Sequence, residues 1–532
     1  KRVSTTLADA CAHILKRPGL LVILILSSAF YVSGVFYGLP QELNADEFLF
    51  MDTAVDMVQN RTLDPGWYGV PAQLLVYALA VIIGVVAVMG MLLGVFSSPE
   101  AAGQLFLEDP SIFYVLGRLI SVFFAVICIW LTDRLIRTFD VTGHWRWIAL
   151  ATLCLAKLFV SLAIIIRMDM MQTSFMLVTL LMSIHALRAP DSMRSLVIAG
   201  AFVGLAVTSK FPGVVGAVPV ILAAALLVRK GDWTWAEAIK GLFFAGLASL
   251  AAAFLSGPYL FLNFAGMLQD VLFEARSYHL GATGAGFFNQ LFYYVFVAVP
   301  AQIGIFGLLA GVTGLSLLSV EKRQGILVVS LAVAYVVFIS SLSLQWERWI
   351  LPVLPLVCVG IAVAGYRIEE MLRSKTPESG YLKLGTAVAA PIILMPIVTS
   401  ALPIAGAKAS NQDTRVQALT WIDQNIPEAS HILTESYAPA LDSTKYTLFV
   451  PRLDPDIVLW STVSKRHRPY GYYGSLNVNW GSDPSVFMDR VDELEIDYVV
   501  LTDQFISRFA KEQGQQAQDA MQIYDAFYVE FE

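Results

Sequence analysis

Apolar runs of roughly 20 residues, the length a helix needs to cross a bilayer, recur along most of this chain between short charged turns. Eleven of them are expected to span a membrane: 20–38, 117–137, 147–166, 170–187, 195–210, 213–229, 241–257, 291–318, 325–343, 350–366 and 381–403. Loops rich in Lys and Arg stay on the cytoplasmic side. Lys16 and Arg17 precede the first run and place the N-terminus there. Asp133 to Arg137 with Arg146, Arg188 with Arg194, Arg229-Lys230 with Lys240, Glu321 to Arg323, and Arg367 to Lys375 belong to the same side. The turns 167–169, 210–213, 257–290 and 345–348 then face outward, as does the segment after the first run. An odd number of spans also puts the C-terminal part outside.

Pro71–Phe96 does not fit this alternation, because counting it as a span would move Asp133 to Arg137 outside. It is expected to be a membrane-embedded or re-entrant part of the first external loop, with Gly84, Gly90 and Gly94 permitting a break; a full span is the alternative. Irregular backbone at that depth is tolerated only where protein covers it.

From about Ala405 the pattern changes. Residues 413–425 read as an amphipathic helix with Val416, Leu419, Trp421 and Ile422 among its apolar positions, ended by Pro427. The runs 431–434 and 498–501 read as short buried strands. The chain is thus divided into a transmembrane part, 1–404, and a small external α/β domain, 405–532.

Composition agrees with this division. Of 532 residues 57% are hydrophobic and 14% charged, against about 45–50% and 25% in soluble domains, and the mean hydropathy is +0.66. A formal net charge of −7 offers no basic face for nucleic acid. Cys11, Cys128, Cys154 and Cys358 have neither metal-ligand spacing nor a disulfide framework, and read as small core residues.

Candidate chemistry sits in the outward turns. Asp46 and Glu47 follow the first span, and ionised groups near hydrocarbon are costly unless solvated or used. They open a helix expected to lie in the interface, with Phe48, Met51, Val55 and Met57 toward lipid. Capping of that helix, which its dipole favours, is the plainer reading. Asp169, with Arg167, is either a second site acid or half of a tight-turn ion pair. Arg118 and Arg348 are guanidiniums whose fork suits phosphate, with snorkelling the alternative for Arg118. The loop carrying Glu274, Arg276 and His279 runs into the glycine-rich stretch 281–286 and suggests a segment over a site. Glu347 is assigned with Arg276 and His279 to that substrate loop, while Trp346 and Trp349, beside Glu347 and Arg348, fit an aromatic belt.

In this order the residues resemble the GT-C class of membrane glycosyltransferases. The resemblance is to the branch holding protein O-mannosyltransferases and the lipid A aminoarabinose transferase. It covers roughly residues 20 to 370 and rests on four places: Asp46-Glu47 after the first span, Gly117-Arg-Leu119, the Arg-x-Asp turn at 167–169, and Arg348-Trp-Ile-Leu-Pro-Val-Leu-Pro355. It implies an α-helical polytopic fold that transfers a sugar from a polyprenyl-phosphate donor to a glycan, lipid or protein acceptor. The site would face the external side of a bacterial inner membrane, with the C-terminal domain periplasmic. Asp46 would be the general base with Glu47 in support, and Arg118 would contact donor phosphate. Val70 stands where the class has a basic residue, and Arg61 or Arg348 is expected to substitute. No metal is expected to be obligatory, although Asp46 and Asp169 could hold a divalent cation. A transporter or flippase, a cell-envelope assembly scaffold, and a polymerase or oligosaccharyltransferase using a pyrophosphate-linked donor are the competing readings.

Overall fold

The structure is a computed structural model. It describes residues 17–40, 45–69, 72–188, 191–277, 279 and 281–375 of the first part. Of the last part it describes 394, 398, 413–435, 438–439, 441–442, 444–451, 476–478, 484–503, 506–507, 518, 521–523 and 525. Helices α1 (Pro18–Gly34), α2 (Ala45–Gln59), α3 (Gln73–Leu92), α4 (Pro99–Glu108) and α5 (Ser111–Thr138) open the chain. Next come α6 (His144–Leu155), α7 (Lys157–Ala163), α8 (Asp169–Ala186), α9 (Ser192–Ser209), α10 (Ala217–Lys230) and α11 (Trp235–Ser256). Two short helices, α12 (Tyr259–Leu262) and α13 (Phe264–Glu274), precede α14 (Phe287–Phe292), α15 (Val299–Glu321), α16 (Arg323–Ser340) and α17 (Leu354–Lys375).

Ten of the eleven expected spans are helical here. The eleventh, 381–403, lies outside the described residues apart from 394 and 398. Among the described residues eight helices are long and apolar enough to cross a membrane, or nine if the bent pair α6–α7 counts as one. One of the eight is α3, which runs unbroken through Gly84 and Gly90. The expected break is therefore absent there. Helix α3 starts five residues after Tyr68, and α5 begins seven residues before Arg118.

The charged turns sort into two groups in space. Arg188 donates to the Thr138 carbonyl at 2.9 Å, Lys322 to Asp140 at 2.6 Å, Arg367 to Glu321 at 2.7 Å, and Trp145 to Glu369 at 2.9 Å. All these belong to turns read as cytoplasmic. Asp46, Arg167, Asp169, Lys210 and Arg348 meet in a second group, and all come from turns read as external. The charge alternation along the sequence thus becomes two ends of one bundle.

Small residues let the helices approach closely. A Cβ added at Gly200 would lie 2.1 Å from the Ala245 carbonyl oxygen, and one at Gly314 would lie 1.8 Å from that of Gly360. These contacts pair α9 with α11 and α15 with α17. The outward side of α11 presents Ile239, Phe243, Leu247, Leu250 and Leu255, a face that suits hydrocarbon.

In the C-terminal part, α18 (Thr414–Asn425) and α19 (Pro484–Glu493) accompany β1 (His431–Thr434), β2 (Thr447–Pro451), β3 (Leu476–Val478) and β4 (Tyr498–Val500). The strands form one parallel sheet in the order β3-β2-β1-β4. The two runs read as strands from the sequence are neighbours, with Ile432 opposite Tyr498. In α18, Ile422 is buried while Trp421 is 58% exposed. The expected apolar face is therefore narrower than the sequence suggested, and Trp421 is not part of it.

Candidate active site

The site is built where α2, the α7–α8 turn, the end of α9 and the turn before α17 converge. Helix α2 does not turn its apolar residues to lipid as expected. Met51, Val55 and Met57 are buried against Leu75, Val76, Leu79, Phe113, Ile166 and Met171, and Phe48 is half-buried. Burying that face fixes the rotation of α2 and therefore the directions of its two opening carboxylates.

Those carboxylates have opposite surroundings. Glu47 is fully buried. It accepts from Arg118 Nε at 2.8 Å and Nη2 at 2.7 Å, and from the Ile166 backbone N–H at 2.7 Å. Arg118, 1% exposed, gives its Nη1 protons to the carbonyls of Val35 and Tyr37, both at 2.7 Å. Four of its five N–H donors are thereby engaged. Gly117 makes room for this, since a Cβ there would come within 2.8 Å of Ile166 and Leu79. Arg118 is thus turned into the protein, and its pair with Glu47 ties α5 to the start of α2.

Asp46, one residue earlier, keeps 48% of its side chain exposed. Its carboxylate pairs with Arg167, and Arg348 Nη1 stands 3.8 Å away. Burial pushes its pKa up, but the charges of Arg167 and Arg348 outweigh this and hold it below the ordinary carboxylate value. Arg167 also reaches Asp169 at 3.3 Å, and Lys210 donates to the other Asp169 oxygen at 2.7 Å. Lys210 lies 5.9 Å from the Trp349 ring centre, and Arg348 stacks at 4.0 Å on Trp346. Two acids therefore alternate with three cations, and Asp46 and Arg348, 26% exposed, are their open members.

The backbone breaks that seat these groups are themselves satisfied. Helices α6 and α7 meet at Ala156 at 58°, which frees the Leu158 N–H. Gln302 of α15 accepts from it at 2.7 Å and donates to Glu347 at 2.6 Å. Glu347, expected in a substrate loop, is thus a structural anchor beside Arg348. The loop after α13 is tied to the same turn, since Gly284 N–H donates to the Ser343 carbonyl at 2.8 Å and Gln345 N–H to that of Ala282 at 2.7 Å. His279 packs edge-on against Trp346 at 5.1 Å. Arg276 pairs with Glu274 at 3.5 Å. Burial raises the Glu274 pKa against the nearby charges of Arg276 and Arg348. The segment is therefore fastened to the turn that carries Arg348.

Arg61 is not brought to the site. It follows the far end of α2, about 22 Å along the axis from Asp46 at 1.5 Å per residue, and is exposed near Glu100. Lys210 was passed over among the candidates; its sequence signal was a lone lysine between two apolar runs. As for metal, no group of three or more His, Cys, Asp or Glu among the described residues could hold an ion. Arg167 and Lys210 hold both oxygens of Asp169, and Arg167 one oxygen of Asp46.

The family described as dolichyl-phosphate-mannose-protein mannosyltransferase matches residues 104–257. Comparison with curated proteins found no match. Among solved structures, ArnT from Cupriavidus metallidurans bound to undecaprenyl phosphate is similar, with a TM-score of 0.51 and 14% identity over 85% of this chain and 89% of that one. An oligosaccharyltransferase from Archaeoglobus fulgidus is similar at 0.50 and 15% identity, over 93% of this chain and 70% of that one. The chain has the fold of the GT-C glycosyltransferases, as its motifs suggested.

Proposed function

We propose that the chain is a membrane glycosyltransferase that moves a sugar from a polyprenyl-phosphate donor to a hydroxyl acceptor at the external face, with inversion. The observation that carries this reading is Asp46, a half-exposed carboxylate flanked by Arg167 and Arg348 at one rim of a bundle with the GT-C fold. The bound undecaprenyl phosphate of the similar ArnT structure supports a lipid-linked donor.

In this mechanism the acceptor oxygen forms a bond to the anomeric carbon while the bond from that carbon to the donor phosphate oxygen breaks on the opposite face. Asp46 takes the hydroxyl proton. A carboxylate held below its usual pKa is a weak base, which suits late transfer, when the attacking oxygen has become acidic. General-base help is typically worth 10²–10⁴-fold. The departing polyprenyl phosphate gains negative charge, and Arg348 with Lys210 supplies the stabilising field, the kind of effect that is usually the largest in catalysis. Charge on the leaving group is met by the protein's own cations, so no metal is obligatory in this reading. In the cell the N-terminus would be cytoplasmic and the site periplasmic, in a bacterial inner membrane.

The test is release of polyprenyl phosphate from a labelled polyprenyl-phosphate sugar by the purified protein supplied with a cell-envelope extract as hydroxyl acceptor, with and without chelator. Wild-type protein should release it with or without EDTA, and Asp46→Asn should not at a comparable rate. Turnover of Asp46→Asn close to wild type would discard the assignment of the base.

A further inference from the structure

A second group of charges lies at the other end of the bundle, where the start of α1, the end of α5 and the start of α6 converge. Trp147 packs on the backbone of Gly19, where an added Cβ would lie 3.0 Å from the ring. The fully buried Asp133 pairs with Arg146 and, at 3.4 Å, with Arg137. Arg17 and Arg134 stand within electrostatic reach of the same carboxylate. Arg134 lies 5.1 Å from the Trp130 ring centre and Arg146 stacks at 4.0 Å on Trp147.

Four guanidiniums thus share one carboxylate. Each guanidinium has five N–H donors and a carboxylate has about four acceptor sites, so most of these donors cannot be satisfied by Asp133. Arg17 Nη1, Arg137 Nε and Arg146 Nη2 are buried and make no hydrogen bond among the described residues. The Arg146 side chain is only 8% exposed. The second Asp133 oxygen also makes no hydrogen bond and faces Arg137. Arg17, Arg134 and Arg137 are only partly buried, but a buried cationic donor left without a partner, as on Arg146, is costly, and an oxyanion with several acceptor atoms would relieve that cost. Val22, Ile25 and Leu26 are exposed on α1 within about two and a half turns of Arg17, an apolar track that a chain attached to the anion could follow. Basic pockets between spanning helices on the cytoplasmic side bind lipid head groups in this way.

We infer that Arg17, Arg134, Arg137 and Arg146 form a site for the phosphate of an anionic membrane lipid, on the side of the bundle away from Asp46. The lipid neutralises the arginines and fastens α1, α5 and α6 together, and its acyl chains lie along α1.

The experiment is native mass spectrometry of the full-length, detergent-purified protein titrated with phosphatidylglycerol or phosphatidylcholine. Wild-type protein should retain one phosphatidylglycerol under conditions that strip phosphatidylcholine. In Arg17→Gln/Arg137→Gln retention should fall about tenfold or more, the scale of hydrogen bonds to charged groups. Arg188→Gln, an exposed arginine at the same end, should leave it unchanged. Equal retention by the double variant, or no preference between the two lipids, would overturn the proposal. Displacement of the lipid by millimolar inorganic phosphate would overturn the lipid source and assign the arginines to free phosphate. Should the double variant not fold, the wild-type melting temperature in phosphatidylglycerol against phosphatidylcholine vesicles decides it: a rise supports the site, and no difference overturns it.

Discussion

Glu47 and Asp46 are neighbours in one helical turn, yet they belong to two kinds of ion pair. The Glu47–Arg118 region is closed: bidentate, buried, and with both Nη1 protons on backbone carbonyls. The region around Asp46 is open, with a half-exposed carboxylate facing Arg167 and the partly exposed Arg348. Burial with nearly every donor and acceptor engaged makes a charge pair structural, because little is left for a substrate to bind. An incomplete pair at an accessible place is where chemistry can enter.

That contrast can be broken experimentally. The largest effect is expected at the open pair, where Asp46→Asn should lower sugar transfer by about 10²–10⁴-fold while the melting temperature stays near wild type. If Asp46→Asn unfolded the protein, the two regions would not differ in kind.

At the closed pair the expectation reverses. Arg118→Ala should destabilise by about 3–5 kcal/mol, the usual result of leaving one member of a buried pair alone, read as thermal unfolding in detergent. Wild-type stability combined with a raised donor KM would return Arg118 to the phosphate site. Replacing both partners by Leu should recover much of the lost stability, since paired removal leaves no orphaned charge.

Lys210→Met tests the edge of the open region. It takes one charged hydrogen bond from Asp169, worth about 1.5–3 kcal/mol, and should lower kcat/KM by roughly tenfold or more. An unchanged kcat/KM would confine the machinery to Asp46 and the arginines.

The smallest effect concerns pH. The depressed Asp46 carboxylate stays ionised as pH falls through the ordinary carboxylate range, and activity should be lost only below its lowered pKa. Glu274 is shifted upward by burial. Its ionisation above that raised pKa opposes folding, and stability returns as pH falls through it. Glu274→Gln should therefore be neutral or slightly stabilising at neutral pH and should leave the acid limb of the Asp46 profile in place. Loss of that limb in Glu274→Gln would transfer the titration to Glu274.

The bundle was legible in the sequence because span length and loop charge are local properties. Asp133, Arg188, Glu321 and Arg367 report their side through composition alone, and the structure gathers them at one end. Asp46, Asp169 and Arg348 were legible for a similar reason, as charges interrupting apolar runs at a rim. The division of labour between Asp46 and Glu47 was not, since it depends on the rotation of α2. That rotation is set by Met51, Val55 and Met57 meeting Leu75 and Phe113, contacts between distant segments that no spacing rule reports. The pairing of Arg118 was hidden for the same reason: its partner lies 71 residues earlier. Arg61 misled because a helix carried it away from the acid it followed.

Gln302 adds a hydrogen-bonded tie between two places that already touch. Its amide joins the bend at Ala156 to the anchor beside Arg348, so a shift of either is felt at the other. Any rearrangement that admits a bulky carrier past Arg348 must therefore either carry the α6–α7 elbow with it or snap this latch.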